Sequence, residues 1–165
     1  MIKEEEIKKE FEKLKKDLGF KTELDELDEI FYIRNLIREH GIISTSFSRQ
    51  ICRRISDYLA SWNEFLHRIL MPNQGSIVSI QESRIFSEEE KEEIQEVFAK
   101  VMELISRNSL LSTINDKDKE SAWIDETYKY VKEFLIPKLA TYFEKINKMW
   151  AEDIKIKKEK VSYSS

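Results

Sequence analysis

Between residues 47 and 70, apolar side chains recur every three or four positions: Phe47, Ile51, Ile55, Tyr58, Trp62, Phe65 and Ile69. That is the spacing of one face of an α-helix. At about 100° per residue, these positions together with Cys52, Leu59, Leu66 and Leu70 fill an arc of about 140°. Arg49, Arg53, Asp57, Glu64, His67 and Arg68 take the rest. The pattern predicts a long amphipathic helix with a charged outer face.

Similar stripes flank it. Ile7, Phe11, Leu14 and Leu18 predict a first helix that Gly19 stops. Thr22 with Asp25 has the form of a capping box, and Leu24, Leu27, Ile30, Phe31 and Ile37 predict a second helix ending at Gly41. Ser44, Thr45 or Ser46 can cap the long third helix, which stops before Pro72-Asn73-Gln74-Gly75-Ser76. Residues 76–86 read as a loop laid over the bundle. Ser87 with Glu90 opens a helix through Ile94, Phe98, Val101, Met102 and Ile105. A polar connector, Ser112 to Lys119, precedes Ala122, Trp123, Val131, Phe134 and Leu135, and Pro137 should kink or interrupt this helix. The stripe resumes in Leu139, Tyr142, Phe143, Ile146 and Trp150.

These elements predict an all-α fold: a single bundle of five or six helices around the 47–70 helix. Its core would include Phe47, Ile51, Ile55, Trp62, Phe65, Phe98, Val131, Phe134 and Tyr142. Composition points the same way, since 165 residues with three Gly, two Pro and 36% charged side chains disfavour a loop-rich or β-rich fold. The domain is expected over 1–154, with 155–165 as a flexible basic tail where apolar periodicity is lost. Abundant Lys, Glu and Ile beside few Gln and Asn match the bias of heat-adapted proteins.

Cys52 is the only cysteine, so neither an intramolecular disulfide nor a cysteine zinc cluster can form. The charged N-terminus does not have the form of a signal peptide, and no apolar run approaches the roughly 20 residues that span a bilayer. A cytoplasmic address is expected, with no membrane partner, no cofactor and no metal.

Net charge is −4, unevenly spread. Residues 34–71 hold six basic against three acidic side chains, and six of the eight arginines, Arg34, Arg38, Arg49, Arg53, Arg54 and Arg68, fall there. A polyanion would bind at this segment. Charges of both signs are also what any helical surface requires.

Four local patterns carry candidate chemistry. Glu64-Phe65-Leu66-His67 has the Glu-x-x-His spacing of di-iron bundles, but Glu64 and His67 lie opposite the apolar stripe and no second copy exists. Cys52 at the edge of that stripe reads as a small buried hydrophobe. Arg34-Asn35-Leu36-Ile37-Arg38-Glu39-His40 resembles the signature of HEPN helical nucleases, which implies that Arg34 and His40 act on an RNA phosphodiester. The Ile42-Ile43-Ser44-Thr45-Ser46 link before Phe47-Ser48-Arg49-Gln50 resembles a helix-turn-helix, which implies that Arg49, Gln50, Arg53 and Arg54 face DNA bases or phosphates.

The order of elements carries a broader likeness. Ile43-Ser44-Thr45-Ser46 leading into Arg49-Gln50-Ile51, then Phe86-Ser87-Glu88-Glu89, then Tyr128-Lys129-Tyr130-Val131-Lys132-Glu133-Phe134, resembles the small all-helical subunits of type III CRISPR effector complexes. The resemblance spans residues 30–146. It implies a non-enzymatic subunit of a larger assembly that lays basic residues on a nucleic-acid backbone. The expected contact residues are Arg49, Gln50, Arg53 and Arg54. A protein partner or self-association through Trp123, Tyr142 and Trp150 is the remaining expectation.

Overall fold

The computed structural model describes the backbone of residues 4–40 and 46–162, with side chains for 4–38 and 46–153. Among these residues the fold is all-α, with no strand: α1 (Glu4–Leu18), α2 (Leu24–Phe31), α3 (Ile33–His40), α4 (Phe47–Leu70), α5 (Ile77–Arg84), α6 (Glu88–Ile114), α7 (Lys117–Tyr130), a π-helical turn (Val131–Leu135) and α8 (Ile136–Ser162). No described helix is long and apolar enough to cross a membrane.

Three long rods make the core. Helix α4 lies at the centre, and its Ile51, Cys52, Ile55, Leu59, Leu66 and Ile69 are completely buried. Helix α6 runs antiparallel to it, since Arg49 reaches Asn108 near one end while Asn63 Nδ2 meets Met102 Sδ and the His67 ring faces Phe98 towards the other. The α7–α8 rod runs antiparallel to α6: Trp123 Nε1 donates to Leu104 O at 3.0 Å, Lys138 pairs with Glu93, and Lys145 pairs with Glu90 at 2.6 Å. Helices α1 to α3 cover the open side. Phe11 meets Phe20 and Phe47 edge to face, and Phe31 meets Tyr58 in the same way.

Several local signals work as read. Gly19 adopts φ +78°, a conformation open to glycine, and its N–H closes α1 on Lys15 O at 2.8 Å. Ser87 and Glu90 form the reciprocal box at the start of α6. Others differ. The box at α2 is Glu23 with Glu26, because Thr22 turns its hydroxyl to Asp125 instead. Tyr32, at φ 55°, splits the second helix into α2 and α3. The connector after α6 is shorter than expected: the helix continues to Ile114, Asn115 turns the chain at φ 52°, and Asp116 caps α7. The α8 backbone is helical through Ser162, into the stretch read as a tail.

Residues 76–86 are not a loop but contain α5, capped by Ser76. Its apolar Ile77 and Val78 are exposed, while Ser79, Glu82 and Ser83 are buried. Ser83 Oγ donates to Ile69 O at 2.6 Å, and Glu82 accepts from Arg68 at 3.1 Å and from Trp150 Nε1 at 3.2 Å. Polar bonds, not an apolar face, seat this helix.

Pro137 does interrupt the last rod, but without a break. Lacking an N–H and colliding with the carbonyl four residues back, it is accommodated by the wider turn before it, in which Ile136 N–H bonds to Val131 O. That turn also corrects the expected core. Phe134 is 43% exposed rather than buried, and Trp62 and Phe98 are half-buried at the margin.

Candidate functional site

The first turns of α4 face the last turns of α6 across a polar cleft of about 460 Å³, lined by Ser46, Arg49, Gln50, Arg53, Asn108, Ser109 and Ser112. The apolar stripe of α4 fixes this placement. With Phe47, Ile51 and Ile55 turned inward, Arg49 and Arg53 must emerge one turn apart on the α6 side.

Arg49 is anchored from behind. Its Nη1 donates at 3.2 Å to Glu120 of α7, which is 0% exposed, and its Nη2 bonds to Asn108 Oδ1. Glu120 also accepts from Ser48 Oγ at 3.0 Å and lies 3.5 Å from Lys117 Nζ, while Asn108 Nδ2 reaches Cys52 O at 3.5 Å. A buried carboxylate requires such partners. The network fixes the guanidinium plane of Arg49 and leaves it with donors to spare.

Arg53 is the contrast. It is exposed and has no hydrogen bond or ion pair to any described residue, Asp57 at i+4 included. Like charges at i and i+4 cost a helix about 0.2–0.5 kcal/mol, and Arg53 stands in that relation to Arg49, whose own charge is met by Glu120. Gln50, half-buried, adds an amide to the same wall.

Comparison with protein-family models, curated proteins and solved structures finds no match to this chain.

The other sequence candidates lie elsewhere. Arg54 points away from the cleft and donates through Nε to Phe31 O at 3.2 Å, joining α4 to the end of α2. Arg34 is held by Glu4 at 2.7 Å, Asp28 at 2.9 Å and Asp25; these bonds outweigh the desolvation that would lower its pKa and raise it instead. A guanidinium so enclosed has little left for a phosphodiester, and the side chain of His40 lies outside the described residues. Arg68 pairs with Glu82. Arg38 is exposed.

In the helix-turn-helix pattern, 41–45 lie outside the described residues. Phe47 and Ser48 are buried, while Arg49 and Gln50 are half-buried, with Arg49 paired to Glu120 of α7. Glu64 and His67 sit exposed on α4, and no group of metal-ligating side chains gathers among the described residues. Burial pushes the Cys52 thiol up to about 12, which leaves it protonated and inert.

The aromatic patch expected from Trp123, Tyr142 and Trp150 is not on the surface: Trp123 and Tyr142 are buried, and Trp150 is half-buried on Glu82. A different apolar surface lies between α6 and the π-turn, where Val97, Tyr130 and Phe134 floor a groove of about 680 Å³. No periodicity argument located it, because it depends on Phe134 being rotated outward by the wide turn.

Proposed function

We propose that this chain is a non-catalytic helical interaction subunit that holds a nucleic-acid phosphate in the cleft between α4 and α6. One observation carries the reading: Arg53 offers a guanidinium that no described residue engages, one turn from the pre-oriented Arg49 and on the same cleft. A preorganised arginine beside an exposed one is well suited to forked hydrogen bonding of phosphate oxygens. Such a role matches what the resemblance to the small helical CRISPR subunits implies, with Arg49, Gln50 and Arg53 as the contacts and Arg54 as a structural residue.

One phosphate set between two guanidiniums fixes the scale. For a single strand, neutralising one phosphate gives a log–log salt slope of about −0.7. Fluorescence anisotropy of labelled single-stranded RNA and duplex DNA across several salt concentrations tests this. Binding with a slope near that value, weakened about tenfold or more by Arg53→Glu, is the expected result. Absence of binding at low salt, or binding indifferent to Arg53→Glu, overturns the reading.

A further inference from the structure

The charge and shape of the cleft narrow its ligand beyond phosphate in general, on an argument that rests on the reading above. Its lining carries two positive charges, Arg49 and Arg53, and no acid. The carboxylate behind it, Glu120, is itself faced by Lys117 at 3.5 Å, so it does not cancel the pair. An internal phosphodiester brings one negative charge and would leave a guanidinium uncompensated. A phosphomonoester brings about −1.5 to −2 at neutral pH and three acceptor oxygens.

The donors suit that geometry. Arg49 and Arg53 stand on one wall with the Gln50 amide, and the Ser112 hydroxyl stands on the other. The lining comes from two short stretches only, 46–53 of α4 and 108–112 of α6, and Asn108 is tied at its rear to the Cys52 carbonyl. A volume of about 460 Å³ falls in the range of small-ligand sites.

We infer that the cleft binds a dianionic phosphomonoester: the terminal phosphate of a nucleic-acid strand or a free mononucleotide. Arg49 and Arg53 clamp its oxygens, and Asn108 holds Arg49 in place.

Isothermal titration of the full chain tests this with a 12-nucleotide RNA bearing a 5′-phosphate, the same strand with a 3′-phosphate, the same strand with hydroxyls at both ends, and adenosine 5′-monophosphate. A phosphorylated end is expected to tighten binding about tenfold, and Arg53→Gln to erase that gain while leaving the melting temperature unchanged. An end-phosphorylated strand that binds more tightly than the mononucleotide assigns the strand end; equal affinity assigns the free nucleotide. Either upholds the phosphomonoester. Equal affinity for phosphorylated and hydroxyl-ended strands overturns it, yet leaves backbone binding standing. No binding by any of the four overturns both.

Discussion

Asp125 on α7 accepts three hydrogen bonds from Thr22 and its neighbour: from the Lys21 and Thr22 backbone N–H groups at 2.9 Å each and from Thr22 Oγ1 at 2.6 Å. One carboxylate thereby ties the α1–α2 turn to an element more than 100 residues away in the chain. Replacing Asp125 with Ala should destabilise the protein by about 1–3 kcal/mol, because it leaves two turn amides without a partner. Urea denaturation would register the loss, and hydrogen exchange should show it concentrated at Lys21 and Thr22.

Glu120 is the most enclosed acid among the described residues, and removing it leaves Arg49 without its counter-charge. Glu120→Ala should cost about 3 kcal/mol, the usual penalty for breaking one side of a buried ion pair. Glu120→Gln should cost less, since an amide oxygen still accepts from Ser48. A chemical-denaturation series on the two variants checks the order.

Two neighbouring arginines should part company. Arg53→Glu is expected to leave stability within about 0.5 kcal/mol of the parent while weakening phosphate binding. Arg54→Ala should do the opposite, costing about 1 kcal/mol through the lost bond to Phe31 O with binding retained. Paired melting and anisotropy measurements separate the two.

Acid should weaken the fold. Hydrogen bonds from Lys145 to Glu90, from Arg107 to Glu126 and from Lys15 to Glu23 hold those carboxyls below the ordinary value of 4.5. A group whose pKa is lower folded than unfolded stabilises above the unfolded value, and that contribution is lost as pH falls through the folded one. Stability should therefore be level from neutrality to about pH 5 and decline below 4.5. Denaturation midpoints at pH 7, 5 and 3.5 would reveal the trend.

The buried Cys52 thiol should resist alkylation in the native protein at pH 8 and react at once in denaturant, since the protonated form is a poor nucleophile. Rapid native labelling would contradict the packing around it.

What the sequence made legible was local. The α4 stripe, the Gly19 stop and the Ser87–Glu90 box depend on neighbours within a few positions, and all three stand in the structure. Helix α5 could not be read that way, because its buried side is Ser79, Glu82 and Ser83 and its apolar Ile77 and Val78 face outward. The arginine cluster was visible as a count but not as an arrangement. Arg34, Arg49, Arg54 and Arg68 each find an internal partner at separations from six to 71 residues, which leaves Arg38 and Arg53 as the members with no described partner, and of these two Arg53 lines the cleft. Spacing shows which side of a helix a charge occupies; it does not show what the tertiary fold places opposite.

Helix α4 carries an ion pair to a buried carboxylate at each end, Arg49 on Glu120 in its first turn and Arg68 on Glu82 in its last. A rod packed only by aliphatic side chains could slide past its neighbours by one helical pitch, about 5.4 Å, exchanging one leucine contact for another. Such a slip would strand two carboxylates at once. Ion pairs of this kind act as a ruler more than as glue, and they give the central helix a single axial position against α5 and α7.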